Sequence, residues 1–120
     1  MKNDISAIGN ALVDTVFKVE HSLISELGLE IDQMTLSSAE EHAPIIERLI
    51  ASGAETVSDC GGSATNSLVA ASSFGAKCFH TCKVADDQDG IRYLESIKDA
   101  GIGHNGKMSA ANTSPSGKCL

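Results

Sequence analysis

The sequence is short of aromatics, of proline, of positive charge and of long hydrophobic runs. Three Phe, one Tyr and no Trp leave no platform for stacking the bases of a single strand, so nucleic-acid binding of that kind is excluded. The core must come from Ala, Val, Ile and Leu. Nine Lys and Arg against 16 Asp and Glu give a net charge of −7, which repels phosphate backbones and anionic membrane surfaces. The longest uncharged stretch, 60–76, is rich in Gly, Ser, Ala and Thr and is too short and polar to span a bilayer. Asp4 interrupts any secretory leader before it starts, so a cytoplasmic location is expected. With 42% apolar and 21% charged residues and two prolines, the composition is neither disordered nor collagen-like.

Cysteine is present but sparse. Cys60, Cys78, Cys82 and Cys119 lack the density of a disulfide scaffold, and reduced thiols are expected. Cys78 and Cys82 flank His80, yet on a strand they lie about 13 Å apart at ~3.3 Å per residue, too far to share a zinc ion. No metal site is read. At 120 residues the chain is one domain or a piece of one, long enough to bury roughly two thirds of its unfolded surface.

Alternation predicts a strand over 5–13, extended again over 15–19. Leu23, Ile24 and Leu27 predict a short helix over 22–27 stopped by Gly28, and 33–36 is a brief strand candidate. Ser38 and Glu41 form a capping-box pair opening a helix whose buried stripe is Ile45, Ile46, Leu49 and Ile50, with Gly53 as its stop. Pro44 should kink or restart it. Extended 56–59 leads through Gly61-Gly62 into a helix over 63–73, with Ser63 a candidate N-cap and Gly75 the stop. A strand over 78–84 precedes a helix capped by Asp86 or Asp87, with Ile91, Leu94 and Ile97 facing inward and Gly101 ending it. Strand and helix alternate, which predicts an α/β fold with a largely parallel sheet and right-handed crossovers. Beyond Gly101, 107–111 and 118–120 read as short strands about the turn-like Ser114-Pro115-Ser116-Gly117, so a hairpin is expected.

Gly101-Ile102-Gly103-His104-Asn105-Gly106 spells a dinucleotide fingerprint, but it follows a helix and opens none. With Lys107 it nears a P-loop, and Met108 stands where that loop needs Ser or Thr. Neither reading survives its context. Two other segments fit a ligand better. Asn10 and Asp14, four apart in an extended run, share a face near the carboxyl end of the first strand, where α/β sheets bind ligands. Asp59-Cys60-Gly61-Gly62-Ser63-Ala64-Thr65-Asn66 falls between a strand end and a helix start, where glycines admit a ligand to the backbone. In a parallel sheet both strand ends lie on one edge, so Asp14, Gly61, Gly62 and Asn66 are expected to line one polar pocket for a polyhydroxyl ligand. The bland reading of each is a solvated turn.

Gly9-Asn10-Ala11-Leu12-Val13-Asp14, Gly61-Gly62-Ser63-Ala64-Thr65-Asn66, Lys83-Val84-Ala85-Asp86-Asp87-Gln88-Asp89-Gly90 and Asp99-Ala100-Gly101-Ile102 together resemble the amino-terminal part of the PfkB (ribokinase-like) carbohydrate kinases, in particular bacterial adenosine and sugar kinases. The resemblance covers nearly the whole chain. It implies a ribokinase-like parallel-sheet sandwich, incomplete here, with the start of a small β lid over about 15–36 and 107–120. It implies transfer of the γ-phosphoryl of ATP, with Mg2+, to a sugar or nucleoside hydroxymethyl group by the full-length parent. Asp14 would then bind sugar hydroxyls, Gly61 and Gly62 would offer backbone contacts, and Asn66, with Asn10 more weakly, would add an amide. The family's Gly-Ala-Gly-Asp segment, with its catalytic base, has no match in the chain, nor does its ATP site. The chain alone is therefore expected to be inactive and to hold no cofactor. Ala85 replaces a usual glycine, so that loop is expected to need no positive φ. Expected partners are the sugar or nucleoside, with no nucleic acid or membrane; a homodimer through the lid is the self-association the resemblance allows. Two rival readings are a non-catalytic sugar- or nucleoside-binding module and a structural subdomain that pairs a sheet edge with another chain.

Overall fold

The computed structural model describes residues 2–109 and 114–120. In chain order they form β1 (Ile5–Ile8), β2 (Leu12–Lys18), α1 (His21–Glu26), α2 (Ala39–Ala51), β3 (Glu55–Gly61), α3 (Ser63–Ser73), β4 (Cys78–Thr81), β5 (Lys83–Ala85), α4 (Gln88–Asp99), β6 (Gly103–His104), β7 (Lys107–Ser109) and β8 (Gly117–Cys119). The fold is α/β, with small sheets ordered β1-β4-β6, β3-β2-β8 and β5-β7. β1 runs parallel to β4, with Ile5 opposite Cys78, and β4 parallel to β6. β2 runs parallel to β8, with Leu12 opposite Gly117, and β5 parallel to β7. The chain divides into one unit of 1–15 with 58–120 and another of 16–57.

The first unit holds a core of Ala11, Val13, Leu68, Cys78, Cys82, Val84, Tyr93, Ile97 and Ile102, with Ala7, Val69, Ala71 and Leu94 packed on it. As the composition requires, this core is mostly aliphatic, with Tyr93 and the two thiols of Cys78 and Cys82 as the exceptions. Cys78 and His80 are buried on β4 and all four cysteines are free. Among the described residues no group of His, Cys, Asp and Glu could hold a metal ion, and no helix is long and apolar enough to cross a membrane.

Several expectations are corrected. The strand over 5–13 is two strands in different sheets: Gly9-Asn10-Ala11 breaks it, although the side-chain alternation runs on through the break. The strand over 78–84 likewise breaks at Cys82. Residues 33–36 form no strand, and Met34 and Leu36 are exposed, so apolar content alone misled there. β7 and β8 do not make a hairpin; each pairs in parallel with an earlier strand, and residues 110–111 of the expected first arm lie outside the described residues.

α2 opens with the expected capping box. Ser38 Oγ accepts from the Glu41 N–H and Glu41 Oε2 accepts from the Ser38 N–H, holding the Glu41 carboxyl below its ordinary pKa. The helix does not restart at Pro44, since the missing N–H forfeits a single bond, that to the Glu40 carbonyl. Leu49 carries its buried stripe while Ile50 stays exposed. On α4 the buried side chains are Tyr93 and Ile97, whereas Ile91 is exposed.

Candidate functional site

The turn from β3 to α3 meets the β1–β2 break within the first unit. Gly61 closes β3 and packs directly under the Asp14 carboxylate; a Cβ there would overlap both its oxygens. Gly62 has φ +98°, a conformation L side chains rarely adopt, and a Cβ on it would sit 2.7 Å from the Asn10 carbonyl oxygen. Both glycines are thus demanded by close approach. Nearby, the Thr15 and Ser58 hydroxyls share a 2.6 Å hydrogen bond.

The structure therefore brings Asn10, Asp14, Gly61 and Gly62 together, but by a different route from the one expected. Asn10 lies in the break, not on a strand with Asp14, and Asp14 is the third residue of β2 rather than its end. Gly62, not Ser63, is the N-cap of α3, and no side chain caps that helix. Asp14, half-buried, offers carboxylate oxygens to hydroxyl donors beside the first N–H groups of α3.

Asn66, on the first turn of α3, adjoins that cluster through its backbone and also faces a second feature. Its backbone N–H bonds the Gly62 carbonyl at 2.9 Å, and the residue lines an open hollow of about 740 Å³ with Asp59, Cys60, Val69, Arg92 and Ser96. There Asp59 Oδ1 accepts a short hydrogen bond from the Ser96 hydroxyl and another from the Cys60 N–H at 2.7 Å, which hold its carboxyl below the ordinary range. Burial pushes the Cys60 thiol up.

The Asp87 cap of α4 is as the sequence predicted, but the Thr65–Tyr93 pair and the contacts of Ser116 escaped it. Thr65 Oγ1 and the Tyr93 hydroxyl, both fully buried, lie 2.7 Å apart and join α3 to α4. Asp87 caps α4, its Oδ1 accepting from the Gly90 N–H at 2.7 Å and its Oδ2 from the Ser116 N–H at 2.8 Å, while Ser116 Oγ accepts from the Ala85 N–H at 3.0 Å. Burial works to raise the Asp87 pKa, but the Ser116 and Gly90 donors outweigh it and hold the carboxyl low. Partners 28 and 29 residues apart leave no local signal. Ala85, in β5, has no positive φ, as its replacement of glycine implied.

Gly101–Gly106 leads from α4 into β6 and opens no helix, so no phosphate cradle forms there.

No protein-family model matches the chain, and no curated protein sequence does. Solved structures do. Adenosine kinase from Sinorhizobium meliloti is 31% identical with a TM-score of 0.73, over 92% of this chain and 32% of that one. A probable sugar kinase from Rhizobium etli is 25% identical with a TM-score of 0.73, over 91% and 32%. Adenosine kinase from Trypanosoma brucei brucei, at 21% identity, shows the fold alone, with a TM-score of 0.85 over 98% and 36%. The chain spans about a third of the length of the kinases it matches.

Proposed function

We propose, from a chain that carries the amino-terminal part of the ribokinase-like (PfkB) kinase fold, that it forms part of the acceptor site of a carbohydrate or nucleoside kinase. The observation that carries this reading is the Asp14 carboxylate seated on Gly61, with Gly62 held at positive φ against Asn10. A carboxylate accepts hydrogen bonds from neighbouring sugar hydroxyls, and glycine backbone lets the ring approach closely. Asp14 orients the acceptor, Gly61 and Gly62 bound it, and Asn10 supplies an amide at the rim. Asn66 contributes only if the ligand reaches the hollow that it lines. The lid is assigned to about 15–36 and 107–120.

In the complete kinase ATP, with Mg2+, is the phosphoryl donor, and the part of this chain is acceptor positioning. The test is phosphoryl transfer from ATP to adenosine and to ribose by the full gene product carrying this chain. Asp14→Ala raises the acceptor KM by about tenfold or more and leaves the ATP KM unchanged, the pattern of a contact made only to the acceptor. Equal effects on both would falsify the assignment. Tight acceptor binding without any transfer would identify a binding module instead.

A further inference from the structure

We propose that Tyr93 is a positioning residue for this acceptor site, its hydroxyl fixing Thr65 and through it the Gly61-Gly62 turn. The proposal rests on the reading that this turn binds the acceptor. α3 begins at a glycine, without the side-chain cap that usually holds a first helical turn. That leaves its first N–H groups uncovered beside Asp14, and it leaves the turn to be held from elsewhere.

Thr65 is the third residue of that turn, fully buried, with its hydroxyl 3.6 Å from where a Gly62 Cβ would be and 2.7 Å from the Tyr93 hydroxyl. Tyr93 stands on a helix that is itself secured, since Asp87 caps α4 and binds the Ser116 N–H. Its ring packs in the core with its centroid 6.4 Å from that of His80. Burial pushes the phenol up to about 12, against the Thr65 hydrogen bond, so the hydroxyl keeps its proton through neutral pH. Packing alone calls for no hydroxyl here, since a phenylalanine fills the same volume. This is the single tyrosine of the chain, and its polar atom meets the polar atom of the residue that abuts Gly62. Replacing both partners of a buried hydrogen bond by apolar groups of like shape is nearly neutral for stability. What the pair supplies is geometry.

The test titrates adenosine and ribose into the full gene product as wild type, Asp14→Ala, Thr65→Ser, Tyr93→Phe, and the double variant Thr65→Val with Tyr93→Phe, with amide hydrogen exchange and melting followed in each. Expected is about tenfold weaker acceptor binding in Tyr93→Phe and in the double variant, the scale of one hydrogen bond. Exchange at Asn66, whose N–H bonds the Gly62 carbonyl, quickens in both, the double variant melts as the wild type does, and Thr65→Ser retains affinity. A double variant that binds as tightly as wild type overturns the proposal, as does unchanged exchange at Asn66. If Asp14→Ala abolishes binding while Tyr93→Phe binds fully, the role of Tyr93 falls and the acceptor site stands. Wild-type protein that binds neither ligand overturns both.

Discussion

The segment around α3 and α4 and the segment 16–57 are built on different principles. In the first, Leu68, Tyr93, Ile97 and His80 are at most 1% exposed, and hydrogen bonds bridge residues far apart in sequence. In the second, Leu23 and Leu49 are the buried hydrophobic side chains, while Val16, Ile31, Met34, Leu36, Ile50 and Val57 are exposed. Its side-chain ties lie at the surface: the capping box of α2 and the Arg48–Glu26 ion pair at 2.9 Å, both exposed. The difference teaches where stability resides. Few buried apolar contacts and many exposed backbone bonds mark a unit that opens at low free energy.

The comparison breaks most visibly at Ile97, fully buried on α4. Ile97→Ala should cost about 2–5 kcal/mol in urea unfolding, by lost transfer energy and the cavity left behind. A loss well under that would mean that the α3–α4 region is no tighter than 16–57.

His80 sharpens it next. Its ring is fully buried, the nearby Ala7 backbone falls short of hydrogen-bond geometry with either nitrogen, and burial holds its pKa below the ordinary value, only partly offset by Ala7, while His104 adds to the depression. The unfolded chain takes up this proton near pH 6.5 and the folded chain only at lower pH. Stability is therefore full above about pH 6.5 and is lost as pH falls from there toward the folded value. Melting temperatures from pH 7.5 to 5 should decline in the wild type and flatten in His80→Leu; a wild-type profile as flat as the variant's would count against an unpartnered ring.

Ser38→Ala removes the cap of α2 and should cost about 1 kcal/mol, read as faster amide exchange within 16–57 alone. Spread of that effect into α3 or α4 would merge the two segments into one cooperative unit. Smallest of all, Arg48→Ala should leave the melting temperature where it was, because both partners of its ion pair are exposed.

What was legible in the sequence follows a division of local from distant. α3 was read at its true bounds because Gly62 and Gly75 punctuate it, and α2 because Ser38 and Glu41 sign its start. The glycine turn and Asp14 were legible as residue types suited to hydroxyl ligands. The break at Gly9-Asn10-Ala11 was not, because the alternation from Ile5 to Val13 is indifferent to a change of sheet. Nor could any spacing announce that Tyr93 meets Thr65, or that Asp87 meets Ser116, since only the tertiary fold sets those distances.

The register of the sheets also orders events in time. β1 finds its partner only once Cys78–Thr81 exists, and the Leu12–Gly117 pairing waits almost until the end of the described chain. On a ribosome adding ~5–20 residues per second, β2 spends on the order of ten seconds without that parallel neighbour. Through that interval the Leu12–Asp14 edge that β8 will cover is open to any other strand in reach, so wrong pairing is expected to be a hazard of synthesis rather than of the finished fold.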